Sequence, residues 1–440
     1  MTFTLCTPSD ISALRQQQVE QEARLSAAAP FIYTTLEPSS TSPMRILQAA
    51  NGVFHHFELA RQLDAQGHSG QIFSTFPWRR LNREGLPKDR VRTFPWIHTP
   101  QLMVGRHVHI PQSLNREWTR AVFRTFDSWV ARNLTACDAY VALSGSGLKS
   151  GPRAQQLGAR YVCDRGSSHI RYQDEVVSEE MRRWGVNRRA VDPFIIEREE
   201  AEYAQADAVT VPSKFAYKSF IDQGFSANRL HRIPLGVRLE LFTPTGEPSP
   251  ETFDVLFVGS VTVRKGIPYL IEAFQKLRHS LKKLWVIGAM PDEMRPVLSR
   301  FDLKDVEFVG PVPQSEVRRY MSTSHVMVLP SVEDGWGMVM GQAMACGCPV
   351  ICSDHTGGPD LYSHGVEGFI VPIRSADAIA ESLQRLADDP ALRQSMSEAA
   401  LKRVKSLGGW EDYGVQYAAF LRTLTADPAT AAIASDPAIA

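Results

Sequence analysis

Short apolar segments alternate with amphipathic helical segments along most of this chain, and this alternation constrains its fold more than any other feature. A helix that links two strands carries the chain back to the side where the first strand began, so alternating elements favour parallel strands. We therefore predict an α/β fold with doubly wound parallel sheets. In the first half, the predicted strands cover residues 45–49, 71–74, 139–143, 161–164 and 208–211.

A second strand and helix series begins after residues 235–252, which are rich in Pro, Gly and Thr and show no hydrophobic period. We therefore predict two doubly wound domains. Ligands of such sheets bind beyond the carboxyl ends of the strands, so a cleft between two facing domains is the expected active site. The second series has predicted strands at 254–258, 284–287, 306–309, 326–329, 349–352 and 368–371. The predicted organisation is an N-terminal appendage (1–43), a first domain (44–236) completed by a C-terminal helix (410–425), a second domain (237–409) and a loose tail (426–440).

Charge and cysteine content exclude several classes of protein. Lys plus Arg and Asp plus Glu both number 48, and this zero net charge argues against a general nucleic-acid binder. No apolar run approaches the roughly 18 residues that cross a bilayer. Six scattered cysteines do not form a disulfide framework. We expect a cytoplasmic protein, with peripheral contact at the inner face of a membrane as an open alternative.

The segment from Pro330 to Gly358 carries the strongest indication of chemistry. A predicted strand is followed by a loop with Gly335 and Gly337, and then by a helix that begins near Met338. Glycines let the backbone come close to a ligand, and the first N–H groups of a helix attract anions. This segment therefore predicts an anion site.

Two polar side chains flank this predicted helix start. Asp334 precedes the glycine turn, and Gln342 lies one helical turn beyond Met338 on the same face. Both side chains can accept hydrogen bonds from hydroxyl groups. We expect Asp334 and Gln342 to flank a sugar or a ribose whose phosphate lies on the helix start.

The segment from Leu256 to Phe274 has the same strand, loop and helix pattern. Gly259 opens the loop, and Arg264 and Lys265 come just before the helix. Cations at this place can contact a diphosphate held at the ends of the strands. Taken alone, such a pair is more often a solvated surface than a phosphate site.

The first of these segments resembles the signature of the family-four retaining glycosyltransferases, which belong to the group 1 glycosyltransferases and have the GT-B fold. In that signature two acids bracket a Gly-aromatic-Gly turn, followed by a conserved helix start. Asp334 matches the first acid, Trp336 the aromatic residue and Gln342 the second acid. Both acids differ from the family pattern, and Gln342 accepts hydrogen bonds from ribose without a charge-assisted contact.

The resemblance extends over about residues 44–420 and implies further contacts with a nucleotide-sugar donor. It implies that Lys265 and the substitute cation Arg264 contact the diphosphate, and that His169 contacts the sugar from the first domain. It also implies that a first glycine loop lies at Gly52 and that the loop bordering the base begins at Gly310. Together, the predicted catalytic residues are His169, Arg264, Lys265 and Asp334, and the predicted donor-binding residues are Gly52, Gly259, Gly310, Gly335, Trp336, Gly337, Met338, Val339 and Gln342.

The resemblance implies a fold of two Rossmann-like domains facing across a cleft. It implies a retaining, hexosyltransferase-type enzyme that moves a sugar from a nucleotide-diphosphate-sugar to a sugar, glycan or glycolipid acceptor, such as a surface polysaccharide intermediate. It also implies catalysis without a metal ion or other cofactor. No Asp-x-Asp sequence is present to hold a metal-bound diphosphate.

Three other interpretations remain open at this stage. A nucleotide-sugar epimerase or a phosphorylase is an alternative enzyme on the same architecture. A non-catalytic sugar-nucleotide-binding subunit is the third, because both acids depart from the family pattern.

The spacing of Cys346, Cys348 and Cys352 resembles a zinc site, but such residues at a helix end and in a strand are more commonly small buried thiols.

Overall fold

The computed structural model describes residues 42–108 and 110–426. The predicted N-terminal appendage and C-terminal tail lie almost entirely outside these residues. The described chain builds two α/β lobes, each around one parallel sheet, and this confirms the predicted fold class. We call them the first lobe, built on the sheet of residues 45–232, and the second lobe, built on the sheet of residues 253–371.

The first lobe contains seven parallel strands. These are β1 (Arg45–Ala50), β2 (Ser69–Ser74), β3 (Val91–Thr93), β4 (Ala139–Leu143), β5 (Arg160–Asp164), β6 (Ala208–Val211) and β7 (Leu230–Arg232). Its helices are α1 (His56–Ala65), α2 (Trp78–Leu81), α3 (His98–His107), α4 (Gln112–Asn133), α5 (Ser150–Gln156), α6 (Ile170–Arg183), α7 (Pro193–Gln205) and α8 (Lys214–Asp222).

The second lobe contains six parallel strands. These are β8 (Phe253–Val258), β9 (Lys282–Ile287), β10 (Val306–Gly310), β11 (Val326–Leu329), β12 (Val350–Ser353) and β13 (Gly368–Val371). The remaining helices are α9 (Ile267–Lys276), α10 (Arg295–Leu298), α11 (Gln314–Thr323), α12 (Met338–Ala345), α13 (Gly358–Leu361), α14 (Ala376–Asp388), α15 (Pro390–Ser406) and α16 (Trp410–Thr425).

Central strands are apolar throughout because helices cover both faces of each sheet. Strand β4 has the sequence AYVAL and is buried at every position, and β11 is buried in the same way. Strand pairing follows this burial, with Ile46 of β1 opposite Ala139 of β4 and Val326 of β11 opposite Val255 of β8. A continuous apolar strand therefore marks the centre of each lobe.

The order of the strands determines where a ligand can enter. The first sheet runs β3-β2-β1-β4-β5-β6-β7, and the second runs β10-β9-β8-β11-β12-β13. The direction of winding reverses between β1 and β4 and again between β8 and β11. At such a reversal the loops diverge and leave a crevice beyond the carboxyl ends of the strands.

The last helix, α16, packs on the first lobe although it follows the second lobe in sequence. Tyr413, Tyr417 and Leu421 are buried against strands of the first sheet, and the Tyr417 hydroxyl lies 3.1 Å from that of Thr210. The chain therefore crosses between the lobes twice. Within the two described ranges, no helix is both long and apolar enough to cross a bilayer.

Candidate active site

A cleft of about 800 Å³ lies between the lobes, at the carboxyl ends of both sheets. Its first-lobe wall includes Asn51 after β1 and Ser144 after β4, and its second-lobe wall includes Gly259 after β8. Both reversal points therefore open into one space. Nine of the predicted site residues line it: Gly259, Arg264, Lys265, Asp334, Trp336, Gly337, Met338, Val339 and Gln342.

A glycine positions the two cations at the cleft. Gly266 is the N-cap of α9 with φ +72°, and a Cβ on it would lie 1.9 Å from the carbonyl oxygen of Pro330. Only glycine fits this close approach. The loop before α9 therefore lies directly on the loop after β11, where the Val332 N–H donates to the Arg264 carbonyl over 2.8 Å.

Each cation in this loop meets one carboxylate of the loop after β11. The Lys265 ammonium donates to Asp334, and the Arg264 Nε donates to Glu333 over 2.8 Å. Burial acts to lower the pKa of Arg264, but the charges of Glu333 and Asp334 outweigh it and raise that pKa. Arg264 therefore remains charged, and these ion pairs hold both side chains at the cleft wall.

The start of α12 supplies backbone donors to the same wall. Gly337 has φ +76°, and a Cβ on it would lie 2.7 Å from the Leu329 side chain. The first N–H groups of the helix, at Met338 and Val339, have no acceptor within the helix. Together with the helix dipole they favour an anion at this place in the cleft.

Two further side chains of the signature segment border the cleft. Trp336 is buried, and its indole Nε1 has no hydrogen-bond partner within the described residues. Gln342 is half-buried on the face of α12 that lines the cleft. Both side chains can hydrogen-bond a ligand that fills the space between the lobes.

His169, for which we predicted a contact with a sugar, is not among the residues that line the cleft. Its side chain is at the N-terminus of α6, where Nδ1 accepts from the Arg171 N–H over 3.2 Å. The ring packs against Tyr203 and Phe220, with centroid distances of 5.2 Å and 4.8 Å, and the residue is only 6% exposed. Burial lowers the pKa of His169 to about 4. His169 is a structural helix cap.

Three predicted glycines also lie outside the cleft lining. Gly52 is buried beside Phe76, between residues that do line the cleft. Gly310 ends β10 with φ +80° and has open space where a Cβ would be. Gly335 lies against the first lobe, because a Cβ on it would be 2.3 Å from the Gly166 carbonyl oxygen. These glycines shape the loops around the cleft.

Sequence reasoning missed the side chains that connect the two lobes beside the cleft. Glu333 is fully buried, although its neighbour Asp334 lines the cleft. In the structure their side chains diverge, so that Asp334 meets Lys265 and Glu333 meets Ser167 of the first lobe. Because the side chains of adjacent loop residues diverge, the pair Glu333 and Asp334 itself indicated that one of the two acids faces away from the cleft.

Arg165 is another cleft residue that the motifs did not reveal. It follows β5 directly, and its guanidinium donates to Glu199, Gln173 and the Ser168 carbonyl. Burial acts to lower the pKa of Arg165, but the charge of Glu199 outweighs it and raises that pKa. Its position at the carboxyl end of a parallel strand could have identified it.

Two histidines share one carboxylate on the first-lobe wall. His55 Nε2 lies 2.5 Å and His56 Nε2 lies 3.0 Å from Asp164 Oδ2, while Thr210 donates to the other oxygen over 2.6 Å. Burial acts to raise the pKa of Asp164, but the two imidazoles outweigh it and lower that pKa. His55 lines the cleft. The three ligand-type groups lie close enough to hold a metal ion, although the contact of His55 with Asp164 has the length of a hydrogen bond.

The cysteines considered for zinc are separate buried thiols. Cys348 donates towards the Ser324 carbonyl, and Cys352 accepts from the Tyr362 hydroxyl over 2.9 Å. Burial raises the pKa of Cys346 to about 11 and also raises that of Cys352 to about 11. Within the described residues these thiols do not group with other ligand-type side chains as a zinc site requires.

Comparisons with known proteins identify the second lobe. Residues 252–389 match the family model of the glycosyl transferases group 1. This lobe is a group 1 glycosyl transferase domain. The amylovoran biosynthesis glycosyltransferase AmsK of Erwinia amylovora is 28% identical over 213 residues, which are 45% of this chain and 52% of AmsK. The chain therefore spans about half the length of the curated relatives that it matches.

Solved structures have the same two-lobed arrangement as this chain. Sucrose-phosphate synthase of Thermosynechococcus elongatus has a TM-score of 0.66 at 23% identity, over 87% of this chain and 99% of that one. Anabaena HepE, solved in complex with UDP and glucose, has a TM-score of 0.62 at 17% identity, over 86% and 100% of the two chains. The fold is GT-B, as the resemblance implied.

Proposed function

We propose that this protein transfers a sugar, with retention of configuration, from a nucleotide-diphosphate-sugar to a glycan or glycolipid acceptor. One observation carries the proposal: the cations Arg264 and Lys265 and the start of α12 at Met338 line a single cleft between the lobes. Cations and free N–H groups that converge on one space are suited to a diphosphate.

The donor would lie along the second lobe. Its diphosphate contacts Arg264, Lys265 and the amides of Met338 and Val339, while Asp334 orients the sugar. Gln342 accepts from the ribose hydroxyls. Support for this arrangement comes from the position of all these groups on one cleft wall and from HepE, which binds UDP and glucose in a similar fold.

Catalysis by these groups is electrostatic and needs no metal ion in this proposal. The bond between the anomeric carbon and the diphosphate breaks, and the acceptor oxygen attaches to the same face of the sugar. The acceptor proton passes to the departing phosphate oxygen. Arg264 and Lys265 stabilise the charge that develops on the leaving diphosphate, and closed lobes exclude the water that would hydrolyse the donor.

The acceptor would approach from the first lobe, along the wall formed by Asn51, Phe54 and His55. A lipid-linked acceptor and a peripheral contact at the inner face of a membrane fit the apolar side chains that the first lobe exposes. Trp96 is 73% exposed and Met103 is 61% exposed. AmsK, named for the biosynthesis of amylovoran, supports a polysaccharide intermediate as the acceptor class.

A panel of nucleotide-sugars tests this proposal. A donor that binds the native state should raise the melting temperature, and at equal concentration a tighter donor should raise it more. Release of the nucleoside diphosphate should then rise when a suitable acceptor is added. An epimerase would release a changed nucleotide-sugar with no acceptor, and a non-catalytic subunit would bind the donor without turning it over. Either outcome would overturn the proposal.

A further inference from the structure

The Glu333 carboxylate is fully buried between the two lobes and accepts five hydrogen bonds. Its Oε1 accepts from the Ser167 hydroxyl over 2.6 Å, and from the hydroxyl and N–H of Ser168 over 2.7 Å and 3.2 Å. Its Oε2 accepts from the Gln173 amide over 2.9 Å and from the Arg264 Nε over 2.8 Å. No lone-pair direction is left for water.

The hydrogen-bond donors to Glu333 are divided unequally between the lobes. Four hydrogen bonds come from the first lobe, at Ser167, Ser168 and Gln173, and one comes from Arg264 of the second lobe, which also carries Glu333. A buried charge is stable only when donors replace the water that it has lost. The site around Glu333 is therefore complete only while the lobes are together.

The charge of Glu333 persists in this environment. Burial acts to raise its pKa, but Arg264 and the donors from Ser167, Ser168 and Gln173 outweigh burial and hold the pKa well below its usual range. The carboxylate stays ionised at neutral pH. It therefore holds the Arg264 guanidinium by a charge-assisted contact.

The contact with Glu333 uses only one edge of the Arg264 guanidinium. Nε donates to Glu333, and the two Nη groups make no hydrogen bond within residues 42–108 and 110–426. The side chain is 34% exposed and lines the cleft. Its remaining donors are therefore available to phosphate oxygens in the cleft.

We propose that Glu333 is a positioning residue that couples closure of the lobes to the orientation of Arg264 towards the donor diphosphate. This inference rests on the proposed function, because it requires a diphosphate in the cleft. When the lobes separate, Glu333 loses the donors from Ser167, Ser168 and Gln173 and becomes hydrated. The hydrated Glu333 then no longer holds the Arg264 side chain in one orientation. By linkage, a diphosphate that binds the positioned Arg264 favours the closed state.

The Glu333→Gln variant tests this coupling with little change of shape. A glutamine can still accept from Ser167 and Ser168 through its one oxygen, but its amide nitrogen faces two donors, at Gln173 and Arg264. Arg264 loses its charged partner. We expect the dissociation constant of the best-binding nucleoside diphosphate among UDP, GDP and ADP to rise about tenfold, in line with the loss of one hydrogen bond to a charged group.

The matching nucleoside without phosphates separates positioning from general damage. Because Arg264 acts on the diphosphate, Glu333→Gln should leave the affinity for the nucleoside within about twofold. If Glu333→Gln weakened the binding of nucleoside and nucleoside diphosphate equally, the role of Glu333 would be merely structural. That result would overturn the inference. Small-angle X-ray scattering of the ligand-free variant should also give a larger radius of gyration than that of the native protein.

An ion pair between the lobes, remote from Arg264, provides the matched control. Arg188 donates to Glu293 over 2.7 Å and 2.8 Å, away from the cleft-lining residues. Glu293→Gln breaks this more exposed contact without touching Arg264, and exposed pairs contribute little. We expect diphosphate affinity to stay within about twofold of the native value. A tenfold loss in this control would assign the effect to interlobe contacts in general and contradict the specific role of Glu333.

Other variants separate failure of this inference from failure of the proposed function. If Lys265→Ala abolishes diphosphate binding while Glu333→Gln leaves it unchanged, the coupling is wrong and the donor site stands. If no nucleoside diphosphate binds the native protein, the proposed function itself fails. Should Glu333→Gln not fold, the double variant Ser167→Ala and Ser168→Ala removes first-lobe donors instead and should weaken diphosphate binding in the same way. Unchanged binding in a folded double variant would also refute the coupling.

Discussion

The backbone of Gly335 lies directly against that of Gly166, so that glycine meets glycine where the two lobes touch. A Cβ on Gly335 would lie 2.3 Å from the Gly166 carbonyl oxygen and 2.4 Å from the Ser167 Cα. Both neighbours are backbone atoms that cannot turn away as a side chain can. The lobes therefore reach this separation only because Gly335 has no side chain.

Gly335→Ala should prevent full closure while leaving each lobe folded. The backbone of Gly335 is not in the left-handed region, so alanine brings no local strain. We expect at least a tenfold loss of transfer rate with a melting temperature close to the native one. Gly105→Ala is the control, because among the described residues its Cβ would meet the Ile110 side chain alone, at an ordinary contact distance of 3.8 Å. Full activity of Gly335→Ala would show that this contact does not limit catalysis.

Lys265→Ala should remove the cation that we assign to the diphosphate. It also leaves Asp334 without its ion-pair partner. Loss of one electrostatic contact to a developing charge typically costs 10²–10³-fold in rate, and we expect a loss of about that size in kcat/KM. Lys276→Ala, at an exposed pair with Asp377, should be silent. Initial rates of nucleoside diphosphate release measure both, and an unaltered rate for Lys265→Ala would argue against the assignment.

Local patterns were sufficient to predict the fold and the second-lobe wall. Apolar strands and glycine-led loops have a short-range physical cause, so the segment around Gly337 and the position of Lys265 follow from neighbouring residues. Parallel strands then bring their carboxyl ends to one edge, whatever the details of packing. These are features that sequence order alone determines.

Contacts between distant segments could not be predicted in the same way. His169 follows a strand as a ligand-binding residue would, but Tyr203 and Phe220 surround it only in the folded chain. Glu333 meets Ser168, which is 165 positions away. Whether such side chains face a cleft or the interior depends on the packing of both lobes, which hydrophobic periodicity does not encode.

Gln342→Glu should strengthen donor binding. The residue is half-buried on the cleft wall, and a carboxylate would accept from ribose hydroxyls by a charge-assisted bond in place of a neutral one. We expect the KM for the donor to fall about threefold to tenfold with little change in kcat. Gln342→Leu, similar in size but unable to accept, should raise KM instead. Equal KM values in all three proteins would indicate that this side chain does not contact the donor.

His169 should make the folded state less stable as the pH falls. Its pKa is lowered from 6.5 to about 4, so between these values the unfolded chain binds the proton and the folded chain does not. The contribution of His169 to the free energy of unfolding is complete above pH 6.5 and is lost on acidification. The loss is about 2 kcal/mol at pH 5 relative to pH 7. Urea unfolding at both pH values measures this change.

His169→Asn is the variant that isolates this contribution, because asparagine can still accept from the Arg171 N–H at the start of α6. The variant should lose that part of the pH dependence and retain its KM for the donor. A tenfold rise in KM at constant stability would restore the predicted contact between His169 and the sugar.

A crystal structure with the nucleoside diphosphate that most raises the melting temperature tests the central claim most directly. We predict that its two phosphates lie within hydrogen-bonding distance of the Lys265 ammonium, the Arg264 guanidinium and the N–H groups of Met338 and Val339. A diphosphate held outside the cleft, with these groups in contact only with protein, would contradict the account.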